Sequence, residues 1–173
     1  MSEARWYAAY TSARHEKRVA EQMAGRAIEY FLPLYGSSRR WKDRRVHLQL
    51  PLFPSYVFVR IPMRERMRVL KVPGVVHLVS VNGLPVPIPD QEMERLRMGL
   101  SASLRAKPHP FLTVGRRVRI VRGPLEGLEA ILLRHKGEAR VVLSLELIQR
   151  SITVDLETDA VEPIAFRGFA RVS

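Results

Sequence analysis

The chain has 173 residues and no cysteine, which excludes disulfides and thiolate metal sites, and 46% of it is hydrophobic, enough for ordinary cores and too much for global disorder. Twenty-nine Lys and Arg against 17 Asp and Glu give a formal net charge of +12. Residues 1–107 hold 19 basic and 9 acidic side chains, residues 108–173 hold 10 and 8, so the excess is +10 in the first part and +2 in the second, which suggests that the first part faces phosphate.

In chain order, Trp6 to Thr11 reads as a first strand, aromatic and apolar. Thr11 or Ser12 is placed to cap a helix whose apolar residues Val19, Ala20, Met23 and Ala27 recur at helical spacing. Ile28 to Tyr35 is β-rich. The stretch from Ser37 to Arg45 (SSRRWKDRR) is polar and basic around one tryptophan, an exposed hairpin tip. Leu48 to Ile61 returns as a strand broken by Pro51 and Pro54. Arg64 to Leu70 makes a short helix stopped by Pro73-Gly74, Val75 to Val81 a strand, and Asn82-Gly83 a tight turn. Asp90 opens a helix containing Met93, Leu96 and Leu100. No regular βαβ alternation and no Gly-rich phosphate loop appear, so an antiparallel sheet with helices packed on it is expected. Ser101 to Pro110 (SASLRAKPHP) reads as a linker. Five short strands follow, over Arg116–Arg122, Leu128–Arg134, Ala139–Leu145, Ile148–Leu156 and Val161–Pro163, which suggest a small barrel. Glycines and the alternation over Ile152–Leu156 favour strands there over a helical hairpin. From Met1 to Tyr10 no apolar run follows a basic start, and no apolar stretch reaches the roughly 20 residues of a membrane span; a cytoplasmic location is expected.

The segment from Gly115 to Gly127 (GRRVRIVRGPLEG) resembles the KOW motif: Val118 and Ile120 share one face of a strand, Arg117 and Arg119 the other, and Gly123-Pro124 stops it. With Trp6-Tyr7, the run Arg14-His15-Glu16-Lys17, the run from Leu52 to Val59 (LFPSYVFV), Pro73-Gly74-Val75 and Pro87-Ile88-Pro89-Asp90 ahead of it, nearly the whole chain resembles the NusG family. The resemblance implies an α+β chain: an NGN domain over residues 1–100 (antiparallel sheet flanked by helices), a linker over 101–112, a small SH3-like β-barrel KOW domain over 113–164 and a tail over 165–173. It departs from the family at Ser55 and Ala130, where glycine is common, and the stretch from Leu143 to Arg150 leans toward specialised paralogues. The implied role is that of a transcription elongation or antitermination factor, a cytoplasmic monomer that docks on the clamp helices of RNA polymerase, lies near upstream or non-template DNA and recruits a second partner, such as a small-subunit ribosomal protein or Rho. The alternative is a KOW-containing RNA- or ribosome-binding protein.

Three groups are candidates for this work. Trp6, Phe53, Tyr56 and Phe58 fall near the family's polymerase-docking surface; because Tyr56 and Phe58 share one strand face and Val57 and Val59 the other, one apolar face is free for a partner if helices cover only its opposite, and plain core is the competing reading. Arg39, Arg40, Trp41, Lys42, Arg44 and Arg45 combine phosphate-neutralising cations with a ring that stacks on bases, against a merely solvated hairpin tip. Leu147, Ile148 and Arg150 lie where the family's KOW domain binds partners, with barrel core the competing reading for Ile148. Arg14, Lys17 and Arg18 read as a solvated face. His15, His47, His77, His109 and His135 are scattered, no serine sits in a nucleophile elbow, and no catalysis, cofactor or metal is expected.

Overall fold

The computed structural model describes residues 3–101 and 105–164, the side chains of His135 and Lys136 excepted. The tail expected over 165–173 lies outside the described residues. In the N-terminal unit the elements run β1 (Arg5–Thr11), α1 (Glu16–Gly25), β2 (Glu29–Phe31), β3 (Leu34–Trp41), β4 (Arg44–Pro51), β5 (Tyr56–Ile61), α2 (Arg66–Leu70), β6 (Val75–Leu78), β7 (Ser80–Val81), β8 (Leu84–Pro85) and α3 (Asp90–Ser101). The central sheet has the order β2-β5-β1-β6, with each neighbouring pair antiparallel. β3 and β4 form a separate two-stranded ribbon, and β7 and β8 a small hairpin turned by Asn82-Gly83, both at positive φ as a tight primed turn requires.

Alternation gives the central sheet two apolar faces. Tyr7, Ala9, Val57 and Val59 meet Val19 and Met23 of α1 and Val69 of α2. Trp6, Ala8 and Phe58 meet Met93 and Leu96 of α3 on the opposite face. The helix after β1 is not capped by Thr11 or Ser12. It starts at Glu16 behind His15, which makes no side-chain cap, because Arg14 at φ 64° interrupts the approach.

The C-terminal unit runs β9 (Ala106–His109), β10 (Arg116–Ile120), β11 (Glu129–Lys136), β12 (Glu138–Leu145), β13 (Arg150–Glu157) and β14 (Val161–Pro163). The stretch Glu129–Leu145 is strand, not helix. These elements form one antiparallel sheet of order β14-β10-β11-β12-β13-β9. Two differences from the sequence reading stand out. Residues expected in a linker form β9, whose Pro108 lies opposite Ile152 on an edge strand, where a missing amide hydrogen costs no ladder bond. The sheet is also not a closed barrel: among the described residues no pairing joins β14 to β9, both short edges of three and four residues. Arg140 and Asp155, opposite one another on β12 and β13, make a bidentate pair at 2.7 and 3.0 Å, and the hydrogen bond from Arg140 holds the Asp155 carboxyl below the usual carboxylate range.

Candidate partner-docking site

The loop between β4 and β5 carries Phe53 and leads into Tyr56 and Phe58 of β5, and Trp6 lies on β1 beside them. Its shape is set by a buried carboxylate. Glu16, 5% exposed at the start of α1, accepts the amide hydrogen of Ser55 at 3.0 Å, and the carbonyl of Ser55 accepts the amide hydrogen of Thr11 at 2.8 Å. Ser55 has φ 70°, the left-handed region that glycine enters freely, which explains why glycine suits this position. The clasp turns the chain so that Phe53 packs edge-on against Phe58 at 5.6 Å and Tyr56 edge-on against Tyr10 at 5.5 Å.

Trp6, Phe53 and Phe58 are fully buried and Tyr56 is half-buried. Trp6 lies beneath Arg97 of α3, whose guanidinium carbon is 5.2 Å from the ring centroid. The cover over Phe53 has two sources. One is α3 and the other is the C-terminal unit: Phe53, Glu92 and Leu96 share the lining of a cavity of about 30 Å³ with Leu128, Leu143 and Leu145. Side chains of both units thus form one apolar cluster. Gly99 of α3 is buried because Leu125 packs on it: a β-carbon there would overlap Leu125 Cδ2 and lie 2.6 Å from its Cγ. Gly127 sits against Arg95 in the same way.

The expected partner site of the C-terminal unit faces the same contact. Ile148 is buried, Leu147 is half-buried, and the Arg150 guanidinium carbon lies 5.5 Å from the centroid of the Tyr56 ring. Beside them a larger cavity of about 430 Å³ opens between the units, with Pro87, Ile88 and Glu92 on one wall and Arg117, Glu129 and Glu146 among the residues of the other. Burial, and then the nearby Glu146 carboxylate, push the Glu92 carboxyl above its ordinary value. The two sets of residues read from the sequence as surfaces for two different partners are therefore turned onto one another. The Glu16–Ser55 clasp and the Gly99–Leu125 contact were missed; a buried-looking Glu at the start of an apolar helix and a glycine inside one were the available signals.

The cationic hairpin stands apart. The tip of the β3–β4 ribbon turns at Lys42 and Asp43, Lys42 with φ 52°, and Trp41 is 73% exposed. Arg39, Arg40, Lys42, Arg44 and Arg45 are all exposed.

An α/β unit carrying a free cationic ribbon and joined to a small all-β unit is the class of architecture this chain defines. A family model described as "Transcription termination factor nusG" matches residues 4–97, more than half of the chain, and the chain belongs to the NusG family. It is similar to the transcription termination/antitermination protein NusG of Lactococcus lactis, 26% identical with 92% of each chain covered. It is also similar to that of Rickettsia prowazekii, 23% identical with 91% of this chain and 88% of that one covered. Among solved structures it is similar in fold to one reported as "Domain interaction in Thermotoga maritima NusG", with a TM-score of 0.63, 24% identity, and 94% of this chain and 98% of that one covered.

Proposed function

We propose that the protein is a transcription termination/antitermination factor that grips RNA polymerase through the Phe53 and Tyr56 surface of its N-terminal unit and recruits a second protein through Leu147, Ile148 and Arg150. The observation that carries this reading is the unequal cover of the central sheet. One apolar face is closed by α1 and α2 of its own unit; the other relies on α3 and a separate β unit. An apolar aromatic face whose cover is borrowed suits exchange for a partner helix such as the polymerase clamp helices. Trp6 and Phe58 lie beneath as the packed support that fixes Phe53. Opening would release both surfaces together, so docking on polymerase would free the β unit for a ribosomal protein or Rho. The membership of the NusG family and the names of the two bacterial relatives support the same role.

The test is saturable binding of the full chain to purified RNA polymerase. Phe53→Ala combined with Tyr56→Ala weakens binding by at least about tenfold, the loss of one good anchor. Because the same change loosens the contact between the units, weaker binding cannot come from a tighter closed form. A folded double variant that binds polymerase as the parent does would sink the reading.

A further inference from the structure

We propose that the cavity of about 430 Å³ between the two units binds a small amphipathic cation, an apolar body carrying a protonated amine. None of its lining comes from Phe53 or Tyr56. Its size falls within the roughly 300–1,000 Å³ of ordinary small-molecule sites. Ile88 on one side and Leu112, Ile131, Val142 and Leu147 on the other give it apolar walls. Each wall is held in place by hydrogen bonds of its own unit. The Ile88 amide donates to the Trp6 carbonyl at 2.8 Å. The Leu112 amide donates to Ser151 Oγ at 3.1 Å, and the Leu112 carbonyl accepts the Ser144 hydroxyl at 2.6 Å. A ligand therefore enters a site that needs little ordering, which keeps the cost of binding low.

Charge selects the ligand. Four charged side chains line the cavity, Glu92, Arg117, Glu129 and Glu146. Glu129 is answered by Arg117 at 3.8 Å and by Arg119 at 3.3 Å. Glu92 and Glu146 have no ion-pair partner among the described residues. They come from different units, Glu92 from the first turn of α3 and Glu146 from the turn that follows β12. Burial of Glu92 and the charge of Glu146 raise the Glu92 pKa, as expected of a carboxylate short of a counter-charge. A protonated amine between them turns one repulsion into two attractions, and its apolar body packs on Ile88, Ile131 and Leu147. A metal ion is the poorer fit, because no group of three or more potential ligands gathers among the described residues. Since each unit supplies one carboxylate, the bound cation favours the closed arrangement by mass action.

The full chain is titrated near neutral pH with 1-naphthylmethylamine, which is protonated there, with the neutral 1-naphthalenemethanol and with the anion 1-naphthoate, while amide shifts are followed by NMR. The amine binds saturably with a Kd of about 1 mM or tighter, at least about fivefold tighter than the alcohol. It shifts the amides of Ile88 and Glu92 together with those of Leu112 and Leu147. Glu92→Gln combined with Glu146→Gln brings the amine to the affinity of the alcohol and leaves the alcohol within about twofold. Both changes remove repulsion across the boundary, so weaker amine binding in this variant reports the missing charge and not an opened cavity. The chain as a whole, at +12, attracts anions, so a preference for the amine cannot come from long-range charge. Tighter binding of the naphthoate, equal binding of the alcohol, shifts confined to one unit, undiminished amine binding in the variant, or no saturable shift with any probe overturns the proposal.

Discussion

Gly99→Ala separates the contact between the units from the folding of either. The new methyl carbon would stand 2.6 Å from Leu125 Cγ and overlap its Cδ2, where carbon atoms need about 3.5–4.0 Å. Either Leu125 changes rotamer or the β unit retreats by about 1 Å; overpacking of this kind costs about 1–3 kcal/mol. Inside α3 the same substitution gains up to about 1 kcal/mol, because alanine is the better helix former. The N-terminal unit is therefore expected to become slightly more stable while the closed arrangement loses about 5- to 150-fold in its equilibrium with the open one. The chain has no cysteine, so Glu21→Cys and Glu157→Cys, both at exposed positions, accept a pair of spin labels without background. Gly99→Ala shifts the label distances toward longer and broader distributions, and in a Leu125→Ala background, where the clash is gone, it has no such effect. An unchanged distribution in the variant would show that Leu125 does not hold the units together through this point.

Acid is expected to close the contact. Burial and Glu146 raise the pKa of Glu92, so the closed form binds its proton more tightly than the open or unfolded form; the contact is strongest below the ordinary value of 4.5 and weakens as pH rises through the raised one. Glu92→Gln keeps the units closer at pH 7, and the same label pair shows its pH response flattened above 4.5; an undiminished response rules out Glu92 as its source. Glu16→Ala leaves the Ser55 amide hydrogen unpaired in a half-buried turn, worth about 1.5–3 kcal/mol, and lowers Tm by roughly 5–10 °C in a thermal scan, with Glu16→Gln, which keeps an acceptor, losing less. An unchanged Tm for the alanine variant would remove the clasp from the account.

Local chemistry was legible and long-range cover was not. Alternation at Tyr56–Ile61, the Asn82-Gly83 turn and the short strands from Arg116 onward could be read directly, because side-chain periodicity and turn stereochemistry are properties of neighbouring residues. The strand at Ala106–His109 was hidden by Pro108 within it and Pro110 just after it; proline punctuates a sequence but is harmless on an edge. Closure of the second sheet depends on how strands far apart in sequence meet, and five strand patterns fit an open sheet as well as a barrel. At the candidate site the residue types were correctly seen to be apolar, aromatic and cationic. What covers Phe53 was not visible, because Leu128, Leu143 and Leu145 carry the same pattern whether they fill their own core or meet another unit.

The chemistry of the closed contact shows what holds the two units of a strongly cationic chain together. Among the described residues no salt bridge joins the two units; every ion pair lies within one of them. The charges that do meet across the boundary are two carboxylates, Glu92 and Glu146, which repel. Attraction is left to apolar packing around Phe53, Leu96 and Leu125 and to Arg150 over the Tyr56 ring. Apolar packing depends little on ionic strength, whereas any polyanion on Arg39 and Arg44 would be held by charge. Neutralising the charge of the ribbon would therefore not by itself loosen the closed contact, and only a competitor offering comparable apolar surface can take the place of Leu125 and its neighbours. A partner protein meets that requirement and a polyanion does not, which is why the proposed grip on polymerase is assigned to Phe53 and Tyr56 and not to the arginines.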